Sequence, residues 1–274
     1  MTDTTPTTDA DWERLDADAQ RSAVRERYSR IASESSSCCG DTSCCSDQST
    51  DTSKSIGYSE AELDAVSGNA NLNLGCGNPT AMASLERGDT VLDLGSGGGF
   101  DCFLAAREVG EEGHVIGIDM TPEMIGTARE NVETNAASNV EFRLGEIEHL
   151  PVADESVDVI LSNCVVNLSP DKPQVFREAY RVLRPGGRLA ISDVVLTTEL
   201  PTDLQADPAS VAACVAGAAS TAALEEMLTD AGFVDVSIEP KADSDEFIRE
   251  WDSERDLSDY IVAATIEGEK PATG

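Results

Sequence analysis

From Thr90 onward, apolar and polar positions fall into alternating blocks. Short runs rich in Val, Ile and Leu ("TVLDL", "HVIGIDM", "VEFRL", "SVDVILSN", "GRLAISDVV") are interleaved with "FDCFLAAREVG", "TPEMIGTARENVETNA" and "KPQVFREAYRVL". In the second group the apolar residues recur three and four positions apart, which predicts helices. The unbroken apolar runs predict strands buried on both faces. Such alternation predicts an α/β fold with a parallel, doubly wound sheet. "FVDVSIEP" and "DYIVAATIEGE" predict two closing strands, with "DEFIREW" as a short helix between them. Upstream, "DADAQRSAVRERYSRIASE" places Val24, Tyr28 and Ile31 at helical spacing, predicting a short amphipathic helix over Asp16 to Glu34. The polar residues before it are expected to be disordered, and a Ser/Cys/Thr/Asp-rich linker follows to about Ser55. No internal repeat is present. The expected organisation is 1–70 for the tail, helix and Cys-rich segment, 71–195 for a ligand-binding core, and 196–274 for an insert and the closing strands.

Charge narrows the partners. The 274 residues carry 19 Lys and Arg against 52 Asp and Glu, a formal net charge of -33. A surface this acidic repels phosphate backbones and anionic lipid heads, so nucleic acid and membrane partners are not expected. With aromatics at only 4%, the composition reads as solvation for a salty cytoplasm, that of a halophile. "MTDTTPTTDADWERL" has no basic or apolar region of a signal peptide, and no run of about 18 apolar residues exists to span a membrane. A cytoplasmic location is expected. There, the eight cysteines read as thiols with chemistry before structural disulfides.

The chemistry begins at "VLDLGSGGGF". Gly95, Gly97 and Gly99 stand at the turn from the first strand to the first helix, where glycine lets the backbone approach a ligand. Asp93 sits within the apolar strand, where a carboxylate needs a partner. It is expected to hold loop amides or a cationic ligand group. Asp119 ends the second strand, about 20 residues past the glycines, where a carboxylate bonds ribose hydroxyls. The set "DLGSGGG", "IDMTPEMI", "GEIEHLP", "VDVILSN" and "RVLRPGG" resembles the class I S-adenosylmethionine-dependent methyltransferases, from about Gly88 to Gly187. That resemblance implies a Rossmann-like, mostly parallel seven-stranded sheet with its last strand antiparallel. It also implies that Asp93, Gly95, Ser96, Gly97 and Gly99 hold the methionine end of the donor. Asp119 and Met120 hold the ribose and adenine, Glu146 and Ile147 flank the adenine, and Asn163 lies near the methyl.

A methyl acceptor often needs a proton-abstracting base. The two histidines, His114 and His149, sit in no evident catalytic pattern and read as ordinary loop residues. The cysteines are more informative. Cys164 follows the carboxyl end of the fourth strand, the edge at which α/β sheets bind ligands. Cys76 lies in a loop, "NLGCGNP", and Cys214 in an Ala-rich insert, "DPASVAACVAGAAS", that leaves from the same edge. Cys102 reads as a buried core residue. Each of Cys76, Cys164 and Cys214 taken alone fits a small buried hydrophobe equally well. "NLGCGNP", "SNCVVNLS" and "ACVAGA" around this core resemble the arsenite S-adenosylmethionine methyltransferases, from about Ser22 to Pro271. The resemblance implies that Cys76, Cys164 and Cys214 bind trivalent arsenic, from arsenite or methylarsenite. Thiolate-bound arsenic keeps a lone pair that is itself a nucleophile, so no base and no metal cofactor is expected.

Four more thiols, Cys38, Cys39, Cys44 and Cys45, crowd "SSSCCGDTSCC". The pairs lack the wider spacing of a zinc site, and neighbouring cysteines are poorly placed to bridge each other. They are expected to capture arsenite and to act as redox partner of Cys76, with Cys38 or Cys39 the first candidate, supported by a thioredoxin- or glutathione-like reductant. The alternative is a C- or O-methyltransferase of a small metabolite such as a quinone, which the core motifs fit and the cysteine set does not. A thiol module that only sequesters soft metals ignores the donor motifs. An NAD dehydrogenase does not suit "RVLRPGG" or "GEIEHLP".

Overall fold

The computed structural model describes residues 16–36, 48–207, 210, 214–241, 243–252 and 255–272. Trp12 and the cysteines 38, 39, 44 and 45 lie outside the described residues. The strands are β1 (Thr90–Leu94), β2 (His114–Asp119), β3 (Val140–Leu144), β4 (Val157–Asn163), β5 (Leu183–Leu196), β6 (Ala219–Ser220), β7 (Val234–Pro240) and β8 (Ile261–Glu269). Seven form one path in the order β3-β2-β1-β4-β5-β8-β7. Neighbours from β3 to β5 are parallel, and β8 runs antiparallel to both β5 and β7. The expected sheet is therefore present, with the two-residue β6 added beside β5.

Alternation along each strand divides the core in two. Val91, Val115, Val159 and Leu161 point to one face, while Leu92, Leu94, Ile116, Ile118 and Ile160 point to the other. The helices Phe100–Val109 and Pro122–Thr134 cover the first face with Phe103, Leu104, Ile125 and Ala128. Helix Lys172–Val182 covers the second with Val175, Phe176, Ala179 and Val182, the four-residue rhythm that predicts it. Its start is fixed by Asp171, whose side chain accepts from the Gln174 N–H at 3.1 Å, a cap worth about 1 kcal/mol. Phe176 is fully buried, and truncation to Ala there costs about 3–5 kcal/mol.

Two elements differ from expectation. The linker ends in a helix, Gln48–Ser55. Its Ser53 is buried and accepts from Asn71 Nδ2 at 2.9 Å while donating to Asn73, so a polar composition here packs through hydrogen bonds. Helix Thr221–Ala231 completes the second face with Leu224 and Leu228. Ser220 caps it by accepting from Ala223 N–H at 3.2 Å. The N-terminal helix spans Ala17–Ser36, and its Val24 joins the same core cluster as Ile56, Tyr58 and the first sheet face.

Candidate active site

The carboxyl edge of β1, β2 and β4 opens into a cavity bounded by the glycine loop, Asp93, Asp119, Met120 and Ile147. Gly95 and Ser96 donate their N–H groups to the Ile118 carbonyl at 2.7 and 2.9 Å, folding the loop onto the end of β2. Gly99 has φ +93°, and a Cβ there would fall 2.6 Å from the Phe142 ring, so only glycine fits the start of the following helix. Asp119 Oδ2 accepts from Gly97 N–H at 3.0 Å and Oδ1 from Thr121 N–H at 2.8 Å. Burial raises its pKa, and these bonds oppose the rise.

Holding a loop amide, expected of Asp93, therefore falls to Asp119. Asp93 instead accepts from the thiol of Cys102 at 3.2 Å, and both residues are buried. Cys102 is thus a core residue bonded to a carboxylate that lines the cavity. Burial first, then the nearby Asp101 carboxylate, pushes the Asp93 pKa well up. Asp101 accepts from Tyr58 OH at 2.6 Å. Asn163 donates to Gly77 O at 2.7 Å and accepts from Cys76 N–H at 3.0 Å, tying the Cys76 loop to the end of β4. Glu146 does not line the cavity. It pairs with Arg21 and Arg25 of the N-terminal helix, and Ile147 and Glu148 take the wall. Arg21, Val24 and Tyr28 of that helix close the cavity from above, a contribution invisible in sequence beyond the helical spacing. His149 is exposed, and His114 faces Glu141 at 3.1 Å.

S-adenosylmethionine fits this cavity on the structure's own terms. Ser96 Oγ is buried on its wall without a hydrogen-bond partner, and a buried hydroxyl in that state calls for a polar ligand group. The acidic pair Asp93 and Asp119 suits a cationic ligand that also carries hydroxyls.

A second cavity adjoins the first, sharing Tyr28, Ile56, Asn73, Leu74, Gly75 and Cys164 with it. Arg27, Cys214, Phe247 and Trp251 belong to this second cavity alone. Cys76 and Cys164 are joined as a disulfide with Cα atoms 6.0 Å apart. Cys214 Sγ donates to the Cys164 carbonyl at 2.8 Å. Cysteines from three distant segments therefore come together around Cys164: Cys76 through the bridge and Cys214 through a bond to the Cys164 backbone, while the sulfur of Cys214 stands outside the cluster formed by the Cys76 and Cys164 sulfurs and Asp193. Cys164 and Cys214 both have left-handed backbones, φ +56° and +66°, each costing about 1–3 kcal/mol. An oxygen of buried Asp193 lies within 4.8 Å of the Cys76 and Cys164 sulfurs. Burial and Asp193 push the Cys214 thiol pKa well up, opposed by Arg27 and Lys172.

The comparisons agree with this geometry. A methyltransferase domain family matches residues 85–232. An arsenite methyltransferase of Halobacterium salinarum is 58% identical over 266 residues, covering 94% of this chain and 68% of that protein. The chain belongs to the arsenite methyltransferase family. Another member, from Aquipseudomonas alcaligenes, is 45% identical over 168 residues, 59% of this chain and 48% of its own length. The chain thus spans between half and about two thirds of these curated relatives. A crystal structure of an arsenic(III) S-adenosylmethionine methyltransferase from Chlamydomonas reinhardtii superimposes with a TM-score of 0.60 at 34% identity, covering 81% of this chain and 73% of that one. The family places the sheet among class I methyltransferases, and the halobacterial relative accords with the halophilic composition. No helix among the described residues is long and apolar enough to cross a membrane.

Proposed function

We propose that this chain transfers methyl groups from S-adenosylmethionine to trivalent arsenic held by Cys76, Cys164 and Cys214. The observation that carries the reading is the arrangement around Cys164, which lines both cavities, is bridged to Cys76 and accepts a bond from the Cys214 thiol at its carbonyl. Bound in the first cavity, S-adenosylmethionine supplies an electrophilic methyl group. Asp93, Gly95, Ser96, Gly97, Gly99, Asp119, Met120 and Ile147 hold it, and Asn163 fixes the wall between donor and Cys76.

The acceptor side needs soft ligands. Arsenous acid is neutral, so the acidic surface does not repel it. Each thiol that joins arsenic gives its proton to a departing hydroxide, which leaves as water. The raised thiol pKa of Cys214 therefore does not oppose binding. Arsenic held by three sulfurs is pyramidal and keeps a lone pair, so Cys76, Cys164 and Cys214 act by aiming that pair; orientation of this kind supplies several kcal/mol of the barrier. The chemistry asks for no general base and no metal. It does ask for a reductant of the thioredoxin or glutathione type, because the Cys76–Cys164 bridge must open before both sulfurs bind arsenic. Cys38 or Cys39 in the tail is the proposed internal participant in that exchange.

The test is incubation of the protein in molar potassium chloride with S-adenosylmethionine, a thiol reductant and arsenite, followed by separation of arsenic species. Methylated arsenic is expected from the wild type and not from Cys164→Ser. No methylated arsenic from a wild type that binds S-adenosylmethionine would sink the reading in favour of a small-metabolite acceptor.

A further inference from the structure

The two halves of the bridge are not equivalent. Ser192, on β5, touches both. Its carbonyl accepts the Cys164 N–H at 2.8 Å, and its buried hydroxyl lies 3.8 Å from Cys76 Sγ. On the far side, Lys241 Nζ reaches the same hydroxyl at 3.2 Å. An ammonium has donors only, so Ser192 Oγ accepts from it. A bridged sulfur has no proton, so the contact with Cys76 is made by the Ser192 proton. The donor chain runs from Lys241 through Ser192 to Cys76. The fit is tight: a Cβ on Gly77 would overlap both Ser192 Oγ and Lys241 Nζ. Among the described residues no hydrogen-bond donor reaches Cys164 Sγ.

Access has the same polarity. Both are buried, Cys164 at 3% and Cys76 at 0% exposure, but Cys164 lies on the wall of both cavities whereas Cys76 lines neither. The other charges do not reverse it. The Asp193 carboxylate, with an oxygen within 4.8 Å of both sulfurs, is tied down by the Asn167 and Val194 amides. Burial lowers the Lys241 pKa, and Asp243 in the same loop opposes the fall by attracting the ammonium.

We propose that the bridge opens in one direction, with an incoming thiolate attacking Cys164 Sγ and Cys76 departing, and with Ser192 and Lys241 stabilising the departing sulfur. A bond forms between the incoming sulfur and Cys164 Sγ. The Cys76–Cys164 bond breaks, and its electron pair goes to Cys76 Sγ, where the Ser192 hydroxyl donates to the developing thiolate. A second thiolate from the reductant then displaces Cys164 and leaves as the oxidised disulfide. Ser192 touches the reacting atom. Lys241 is a positioning residue that fixes which way the Ser192 proton points. The inference requires the bridge but not the identity of the methyl acceptor, so it stands or falls apart from the proposed function.

The test uses the oxidised full-length chain in molar potassium chloride, opened briefly with 2-mercaptoethanol. The reaction is stopped with acid, freed thiols are capped with N-ethylmaleimide, and peptides are mapped by mass spectrometry. The mercaptoethanol adduct is expected on Cys164 and the maleimide on Cys76, in on the order of tenfold excess over the reverse pattern. Ser192→Ala is expected to slow opening about tenfold, the effect of losing a hydrogen bond to a charged group. Lys241→Met, which keeps the aliphatic stem and serves if Ser192→Ala does not fold, is expected to slow it several-fold, and Lys241→Arg to restore it. An adduct chiefly on Cys76, or wild-type rate and ratio in both Ser192→Ala and Lys241→Met, would overturn the proposal.

Discussion

The two cavities are built in opposite ways. The largest single part of the donor cavity comes from one contiguous stretch of chain, β1 to the loop after β3, and its loop is held by short backbone and Asp119 bonds. The acceptor cavity draws on the N-terminal helix, the Cys76 loop, the end of β4, the insert with Cys214 and the segment with Phe247 and Trp251. Two of its cysteines have left-handed conformations, and a buried Asp193 lies beside the bridge of one of them. On the proposed reading, the cofactor is met largely by a local device, while the acceptor is met by segments far apart in the chain, with two residues in strained backbone conformations.

That contrast can be broken by substitutions acting on one side only. The largest effect is expected from Cys214→Ser. Arsenite turnover should fall at least about a hundredfold, since the loss is one of three soft ligands, while equilibrium dialysis shows donor affinity unchanged within about twofold. Asp119→Ala should do the reverse. Losing the anchor of Gly97 and a ribose partner should weaken donor binding by roughly 10–100-fold, with arsenite binding to the reduced protein unaffected. A matching loss of both affinities in either variant would mean that the cavities are not separable.

Asp193→Asn probes the acceptor side through stability. Burial raises the Asp193 pKa from 3.8 to about 6. A carboxyl with a raised native pKa holds its proton better in the folded state, so its contribution to stability falls as pH climbs from 3.8 to about 6 and is level above that. The variant lacks this component. Its stability relative to wild type, from denaturant unfolding at each pH, should therefore rise across that window by on the order of 2–3 kcal/mol. A flat difference would remove the assigned role of burial. The smallest effect is optical. Trp251 lies on the acceptor cavity with Phe247, ring centroids 5.9 Å apart. Arsenite should quench its fluorescence by a modest fraction, and Trp251→Phe should abolish the saturable part.

Legibility in the sequence follows the same division. The glycine loop, Asp119 and the strand-helix rhythm are contiguous signals, each set by local geometry, and so are readable. Cys164 was readable because sheet topology alone puts the end of β4 at the ligand edge. Tyr28, Arg27 and Trp251 were not, because their place depends on how distant segments pack. Glu146 stands one residue from the cavity wall taken by Gly145 and Ile147, since Arg21 and Arg25 draw its carboxylate outward. Helix Thr221–Ala231 carried readable signals in Ser220, Leu224, Leu228 and Gly232, hidden by the Ala-rich insert before it. The Lys241–Ser192–Cys76 contact spans residues whose approach only the folded sheet creates.

The central claim, that arsenic is bound by Cys76, Cys164 and Cys214 together, is tested most directly by X-ray absorption at the arsenic edge on the reduced protein with one equivalent of arsenite. A shell of three sulfurs is predicted for the wild type, with one sulfur replaced by oxygen or nitrogen in each of Cys76→Ser, Cys164→Ser and Cys214→Ser. A three-sulfur shell that survives any of these single substitutions would contradict the account.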